Sequence, residues 1–172
     1  MGKILRHIIP FIGVAVLAIS AILPACNTVG CLENQSSVPL AGFYSSTTGG
    51  KISVDSIWVY GIGAPGDSML NTSLRASTVY LPFRAEQPST SFAIRYLQSD
   101  LNFPALIDTI KFSYDSEPRF VSEECGAMFF YHITGISYTT HLIDSVAVID
   151  SLINNFDTER IKIFYRTAEP NV

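Results

Sequence analysis

Along most of this chain apolar and polar residues alternate with a period of two, the pattern of strands that bury one face. In TVYLPF, Val79, Leu81 and Phe83 share a face. In SFAIRYL the shared face is Phe92, Ile94 and Tyr96, and in TIKFSYD it is Ile110, Phe112 and Tyr114. AMFFYHITGISYT alternates through residues 127–139, where Gly135 predicts a bulge or bend. RIKIFYR turns Ile161, Ile163 and Tyr165 inward, and residues 40–44 predict an edge strand. KISVDSIWVYGIG is apolar on both faces, as a central strand is. LIDSVAVIDSLI sets Leu142, Val146, Ile149 and Ile153 at helical spacing, yet its β-branched content favours a strand over 142–149 and then a loop through Asp157. Roughly nine short strands separated by turn signals predict an all-β fold, a single antiparallel β-sandwich of which the immunoglobulin arrangement is one form. That domain is expected over residues 40–172.

The first 25 residues break the pattern. Lys3 and Arg6 precede an almost wholly apolar run from Ile8 to Leu23, and small Ala25 stands before Cys26. This is the layout of a secretory signal. An uncleaved anchor helix is the alternative, but a span needs about 20 apolar residues and this run is shorter and interrupted by Pro10 and Gly13. LPAC, residues 23–26, resembles the lipobox of bacterial lipoproteins, with Pro24 in the variable slot. It predicts a lipoprotein signal peptide over 1–25, lipid on Cys26 and a polar tether over 26–39. More than one acyl chain there gives stable anchoring, at about 0.8 kcal/mol per buried CH₂.

Lipidation removes Cys26 from the thiol count and leaves Cys31 and Cys125. In an oxidising compartment an even pair is expected to form a disulfide, two free buried cysteines being the alternative. The bond would close a loop of roughly 90 residues, worth about 4–5 kcal/mol on the chain-entropy model. No CxxC and no histidine pair at ligand spacing occurs, so neither a metal nor another cofactor is expected.

Beyond the signal roughly 150 residues remain, the size of one domain. Two of the 11 basic residues lie in the signal, so the remainder carries 9 basic against 15 acidic residues, a net charge of −6. No basic patch is present, which argues against nucleic acid as a partner.

Two motifs imitate chemistry. GIGAPG, residues 61–66, satisfies G-x-G-x-x-G after a strand, but turn residues follow it where a dinucleotide site needs a helix. GDSML resembles the nucleophile block of the Gly-Asp-Ser-Leu esterases and makes Ser68 a candidate nucleophile. Those enzymes carry Asp-x-x-His near the C-terminus, whereas this chain has the reverse order, His141 to Asp144. Glu123 and Glu124 beside Cys125 read as a solvated turn. His132 and His141 fall in predicted strands and read as scaffold. Trp58 and Tyr60, with Tyr44, are candidates for a platform that stacks on sugar rings.

CLENQSSVPLAGFYS, YGIGAPGDSML, VSEECGAMFFY and YTTHLIDSVAVIDSLINNFDTERIKIFY together resemble a lipoprotein family of the Bacteroidota known as domain of unknown function 6452. The resemblance covers nearly all of the chain after the signal. It implies export and lipidation and carries no assigned activity. It also implies the O-glycosylation rule of that phylum, under which Ser or Thr is modified in Asp-Ser/Thr-aliphatic contexts. Ser56, Ser68, Thr109, Ser145 and Ser151 fit the rule, ordinary turn chemistry being the alternative. The resemblance further implies that surface-exported lipoproteins of that phylum carry an acidic run after the lipidated cysteine; NTVG follows Cys26 here, so the expected location is the outer membrane facing the periplasm.

The function expected from these observations is a non-enzymatic cell-envelope lipoprotein that binds another envelope protein, as an interaction module or an accessory to outer-membrane assembly. Glycan binding through Trp58 and Tyr60 is the second expectation, and hydrolysis through Ser68 the third.

Overall fold

The computed structural model describes residues 36–64, 70 and 75–167. All of them belong to the compact unit Cys31–Val172. The expected signal peptide lies outside the described residues. Among those described, no helix is long and apolar enough to cross a membrane.

The described elements are strands, apart from one 3-10 turn at Pro104–Leu106. In chain order they are β1 (Leu40–Ser45), β2 (Val54–Asp55), β3 (Ile57–Gly61), β4 (Arg75–Ala76), β5 (Thr78–Tyr80), β6 (Ser89–Tyr96), β7 (Asp108–Ser122), β8 (Gly126–Tyr138), β9 (Ile143–Val148), β10 (Leu152–Ile153) and β11 (Glu159–Tyr165). They form a four-stranded sheet in the order β5-β1-β11-β9 and a five-stranded sheet in the order β10-β8-β7-β6-β3, with β2 and β4 as a separate pair. Side chains of both larger sheets meet in one apolar core, so the fold is all-β and sandwich-like.

The predicted inward faces are buried. Phe92, Ile94 and Tyr96 on β6, Ile110, Phe112 and Tyr114 on β7, and Ile161, Ile163 and Tyr165 on β11 are each 4% exposed or less. Full burial of each such apolar side chain contributes about 1.5–3 kcal/mol. Phe83 stacks on Tyr114 with centroids 4.4 Å apart, and Tyr131 meets both edge-on. The Tyr114 hydroxyl accepts from the Arg84 amide at 2.9 Å and lies 2.6 Å from Thr90 Oγ1, which holds this aromatic cluster in register. The β7–β8 register shifts beside Ser113 and Gly135, where the sequence predicts a bend.

Four expectations need correction. β1 is interior, not an edge: it pairs with β5 antiparallel and with β11 parallel, so the sandwich is not antiparallel throughout. Residues 51–63 do not form one central strand. Ser56, at φ 53°, breaks the run, and β3 lies at the edge of its sheet. The doubled apolar pattern has two sources: Ile52 and Val54 pack on the core before the break, and Trp58 and Tyr60 face out after it. The predicted loop before the last strand contains β10, two residues paired with β8. His141 lies in a bend before β9 rather than within a strand.

β7 is the longest strand, at 15 residues, and with β8 it runs on past the core as a two-stranded ribbon. Burial alternates cleanly over Asp108–Tyr114 and gives way to mostly exposed positions from Asp115 onward. The ribbon turns at Glu123–Cys125, where both glutamates are exposed.

Candidate functional site

Three surfaces carry groups able to bind or react, and each follows from where a strand ends. The first lies at the core end of β7. Asp108 has the same parity as Ile110, Phe112 and Tyr114, so it points inward and is fully buried. Its Oδ1 accepts from Thr139 Oγ1 and the His141 amide, each at 2.8 Å. Its Oδ2 accepts from the Tyr96 hydroxyl at 2.9 Å and from the Leu142 and Ile143 amides at 2.9 and 3.0 Å. One carboxylate thus satisfies the backbone of the link that carries the chain from β8 in one sheet to β9 in the other. An unsatisfied buried donor costs about 1–3 kcal/mol, so the clasp has large structural weight.

Beside this clasp is a cavity of about 240 Å³ whose lining includes Ile52, Tyr96, Leu101, Leu142, Tyr165 and Arg166. Burial, the neighbouring Tyr165 and Asp108 push the Tyr96 phenol far above its ordinary value. Burial and the Asp108 charge do the same to Tyr165. Both phenols therefore stay neutral at physiological pH. The Tyr165 hydroxyl is buried beside the Tyr96 phenol. The cleft is of mixed character, since Asp55, Gln98 and Thr167 line it together with the apolar side chains and Arg166.

The second surface is the outer face of β3. Trp58 and Tyr60 alternate with inward Ile57 and Val59, and register sets Trp58 opposite Arg95 and Tyr60 opposite Ala93. Trp58 is 39% exposed and Tyr60 half-buried. The two aromatic residues named from the sequence thus share one solvent-facing side. Tyr44 lies on the other sheet, where it donates to Glu159, so it does not join them.

The third comprises exposed apolar side chains in two places, after β9 and on the ribbon. Ile149, Leu152 and Phe156 are 56%, 41% and 53% exposed and follow β9, beyond which no strand pairs among the described residues. On the ribbon, Phe120 is 70% and Phe129 41% exposed.

The other residues named from the sequence are scattered. Cys26, Cys31 and Ser68 lie outside the described residues. Cys125 is disulfide-bonded to a partner also outside them. Ser56 occupies the break before β3, Thr109 is half-buried in β7, Ser145 is half-buried in β9, and Ser151 lies between β9 and β10. In four of the five Asp-Ser/Thr tripeptides the Asp has a structural partner. Asp55 pairs with Arg75 at 3.3 Å and Asp144 with Arg166 at 3.6 Å. Asp150 pairs with Arg160 and accepts from the Leu152 amide at 2.9 Å. Asp108 is the clasp.

Two arrangements were not singled out from the sequence. The Asp108 clasp was legible in principle, because parity places that residue on the core face. Ser151 Oγ lies 3.4 Å from His132 Nδ1, with Asp115 opposite His132 in register. Both partners of that pair are solvent-facing, and neither lines the cavities that flank the sandwich. Among the described residues no three His, Cys, Asp or Glu side chains gather as a metal site requires.

Residues 56–165 match the model of a family described as a family of unknown function, DUF6452, and the chain belongs to that family. No curated protein and no solved structure matches the chain.

Proposed function

We propose that this member of the DUF6452 family is a non-enzymatic cell-envelope lipoprotein, tethered through lipid on Cys26, that binds another envelope protein. A periplasm-facing outer-membrane position and an accessory role in assembly are parts of the same proposal, as is a Cys31–Cys125 disulfide. The observation that carries it is the outer edge of β9, which no strand pairs among the described residues, with Ile149, Leu152 and Phe156 exposed in the stretch of chain that follows it. Such an edge offers backbone donors and acceptors to an added strand, and the apolar side chains supply pockets or anchors for specificity. Asp108, the buried carboxylate, is engaged in holding the fold.

The test is crosslinking and affinity purification of the native lipoprotein. A stoichiometric protein partner should be recovered with the parent chain and lost with Ile149→Asp/Phe156→Asp, a pair whose exposure leaves the fold intact. Equal recovery from both chains would move the interface elsewhere. Recovery of no partner would end the proposal.

A second reading is favoured by the shared outward face of Trp58 and Tyr60, which suits stacking on a sugar ring. Because Trp58 is the sole tryptophan, its fluorescence reports directly. A saturable change with envelope polysaccharide, abolished in Trp58→Ala, would replace the first reading with this one.

A further inference from the structure

We propose that the outer half of the β7–β8 ribbon lies on the lipid surface to which the chain is anchored, with Phe120 and Phe129 inserted among the lipids. The proposal rests on lipidation of Cys26. Register pairs Pro118 with Phe129 and Phe120 with Ala127. Directly paired residues point to the same side of a ribbon, so these four apolar residues make one continuous face. All four are exposed. The opposite side carries the Glu117–Arg119 ion pair, the Arg119 guanidinium over the Phe130 ring at 5.7 Å, and Met128, which is buried. The side with Phe120 and Phe129 is the one left open, and an exposed apolar ribbon face is prone to association unless something covers it.

The disulfide determines what is within reach. Cys125 sits in the turn at the ribbon's tip and is disulfide-bonded. The chain's other cysteines are Cys26 and Cys31, both near the N-terminus. With Cys31 as the partner, five residue steps separate the tip's covalent anchor from the lipidated residue, at most about 18 Å of extended chain. Phe120 lies roughly 7 Å along the strand from the end of the ladder. The tip therefore cannot leave the neighbourhood of the bilayer, and the apolar face that begins there meets lipid first. Glu123 and Glu124 flank the tip, so the surface it fits is zwitterionic rather than anionic.

The experiment uses the lipidated chain in phosphatidylethanolamine–phosphatidylcholine vesicles. Trp58→Phe/Phe120→Trp places the only tryptophan on the ribbon. Trp58→Phe/Phe103→Trp places it beside the other end of β7, at a side chain already 56% exposed. With lipids brominated near the headgroup, fluorescence of the Phe120→Trp chain should fall at least twofold, and that of the Phe103→Trp chain should not change. Replacing part of the lipid with phosphatidylglycerol should weaken the quenching. Equal quenching of the two chains, or none in either, overturns the proposal, as does protection of Phe120→Trp only on adding a lipid-free envelope protein fraction. Flotation of the vesicles separates the two levels of the argument. A chain that does not float fails the lipidation reading and this one together, whereas a chain that floats unquenched fails this one alone.

Discussion

The two ends of β7 share one alternating pattern and have opposite fates. From Asp108 to Tyr114 the inward positions are sealed under the four-stranded sheet, and from Ser116 to Phe120 the same parity opens progressively to solvent. Phe112 is fully buried and Phe120 is 70% exposed, although they are the same residue type on the same side of one strand. Alternation specifies a face; only the presence of a covering layer turns that face into core. Polarity is reversed as well. The buried end holds an Asp and the exposed end holds a Phe, because five donors make burial of the first favourable while nothing in the described fold covers the second.

The sharpest way to break this contrast is at the clasp. Asp108→Ala should lower unfolding free energy by at least about 3 kcal/mol, since it strands several buried donors at once. Urea unfolding followed by circular dichroism measures this, and a loss below about 1 kcal/mol would show that the link between β8 and β9 is held by other means.

Phe112→Ala should cost about 3–5 kcal/mol, whereas Phe120→Ala should stay within about 0.5 kcal/mol. The pair of melts is a direct comparison of the two ends. A costly Phe120→Ala would mean that the ribbon is packed in solution against another part of the chain.

A smaller effect is expected at the outer face of the β1–β11 pairing. A Cβ on Gly42 would run into the Glu159 carboxylate, so Gly42→Ala must displace that side chain from Tyr44 and Lys51. The displacement should cost on the order of 1 kcal/mol, typical of a lost, partly exposed charged hydrogen bond. Phe112→Ala should exceed it in the same assay.

The pH profile gives the smallest signal. Burial alone would raise the Glu159 pKa, but hydrogen bonds from Lys51 and Tyr44 and the charges of Lys51 and Lys162 bring it below 4.5. A carboxyl whose folded pKa is depressed stabilises the fold above its unfolded value, and that contribution fades as pH falls through the folded one. Stability should therefore decline below about pH 4.5, and less steeply in Glu159→Gln. Parallel acid titrations of the two chains would expose the idea if their slopes agreed.

How far the sequence could be read follows from the same contrast. The inward residues of β6, of the first half of β7 and of β11 were legible, because period two is a local property of side-chain direction. Neighbour order was not. Nothing local in residues 40–44 shows that their partner is Glu159–Tyr165, more than a hundred residues away, or that the pairing is parallel. β3 read as central because Trp58 and Tyr60 are apolar in composition and face solvent in fact. β10 escaped notice because two paired residues leave no periodicity. Asp108 was seen only within an Asp-Thr-Ile tripeptide, where turn chemistry and modification compete as explanations, although its parity with Ile110 and Phe112 points into the core. The candidate surfaces were partly legible: the two outward aromatics of β3 were named, whereas the edge of β9 and the open face of the ribbon depend on which layers are missing.

The parallel pairing of β1 with β11 has a consequence in time. Leu40 is synthesised more than a hundred residues before Glu159, its neighbour across the ladder. β11 sits between β1 and β9, so until it is made the four-stranded sheet consists of two unconnected pieces. The contacts that close it span most of the chain, which makes closure slow and leaves it no early native intermediate. The five-stranded sheet, all of whose strands precede β11, gains its finished covering layer only at that point. The same order predicts that deletion of β11 splits the sheet rather than fraying its edge.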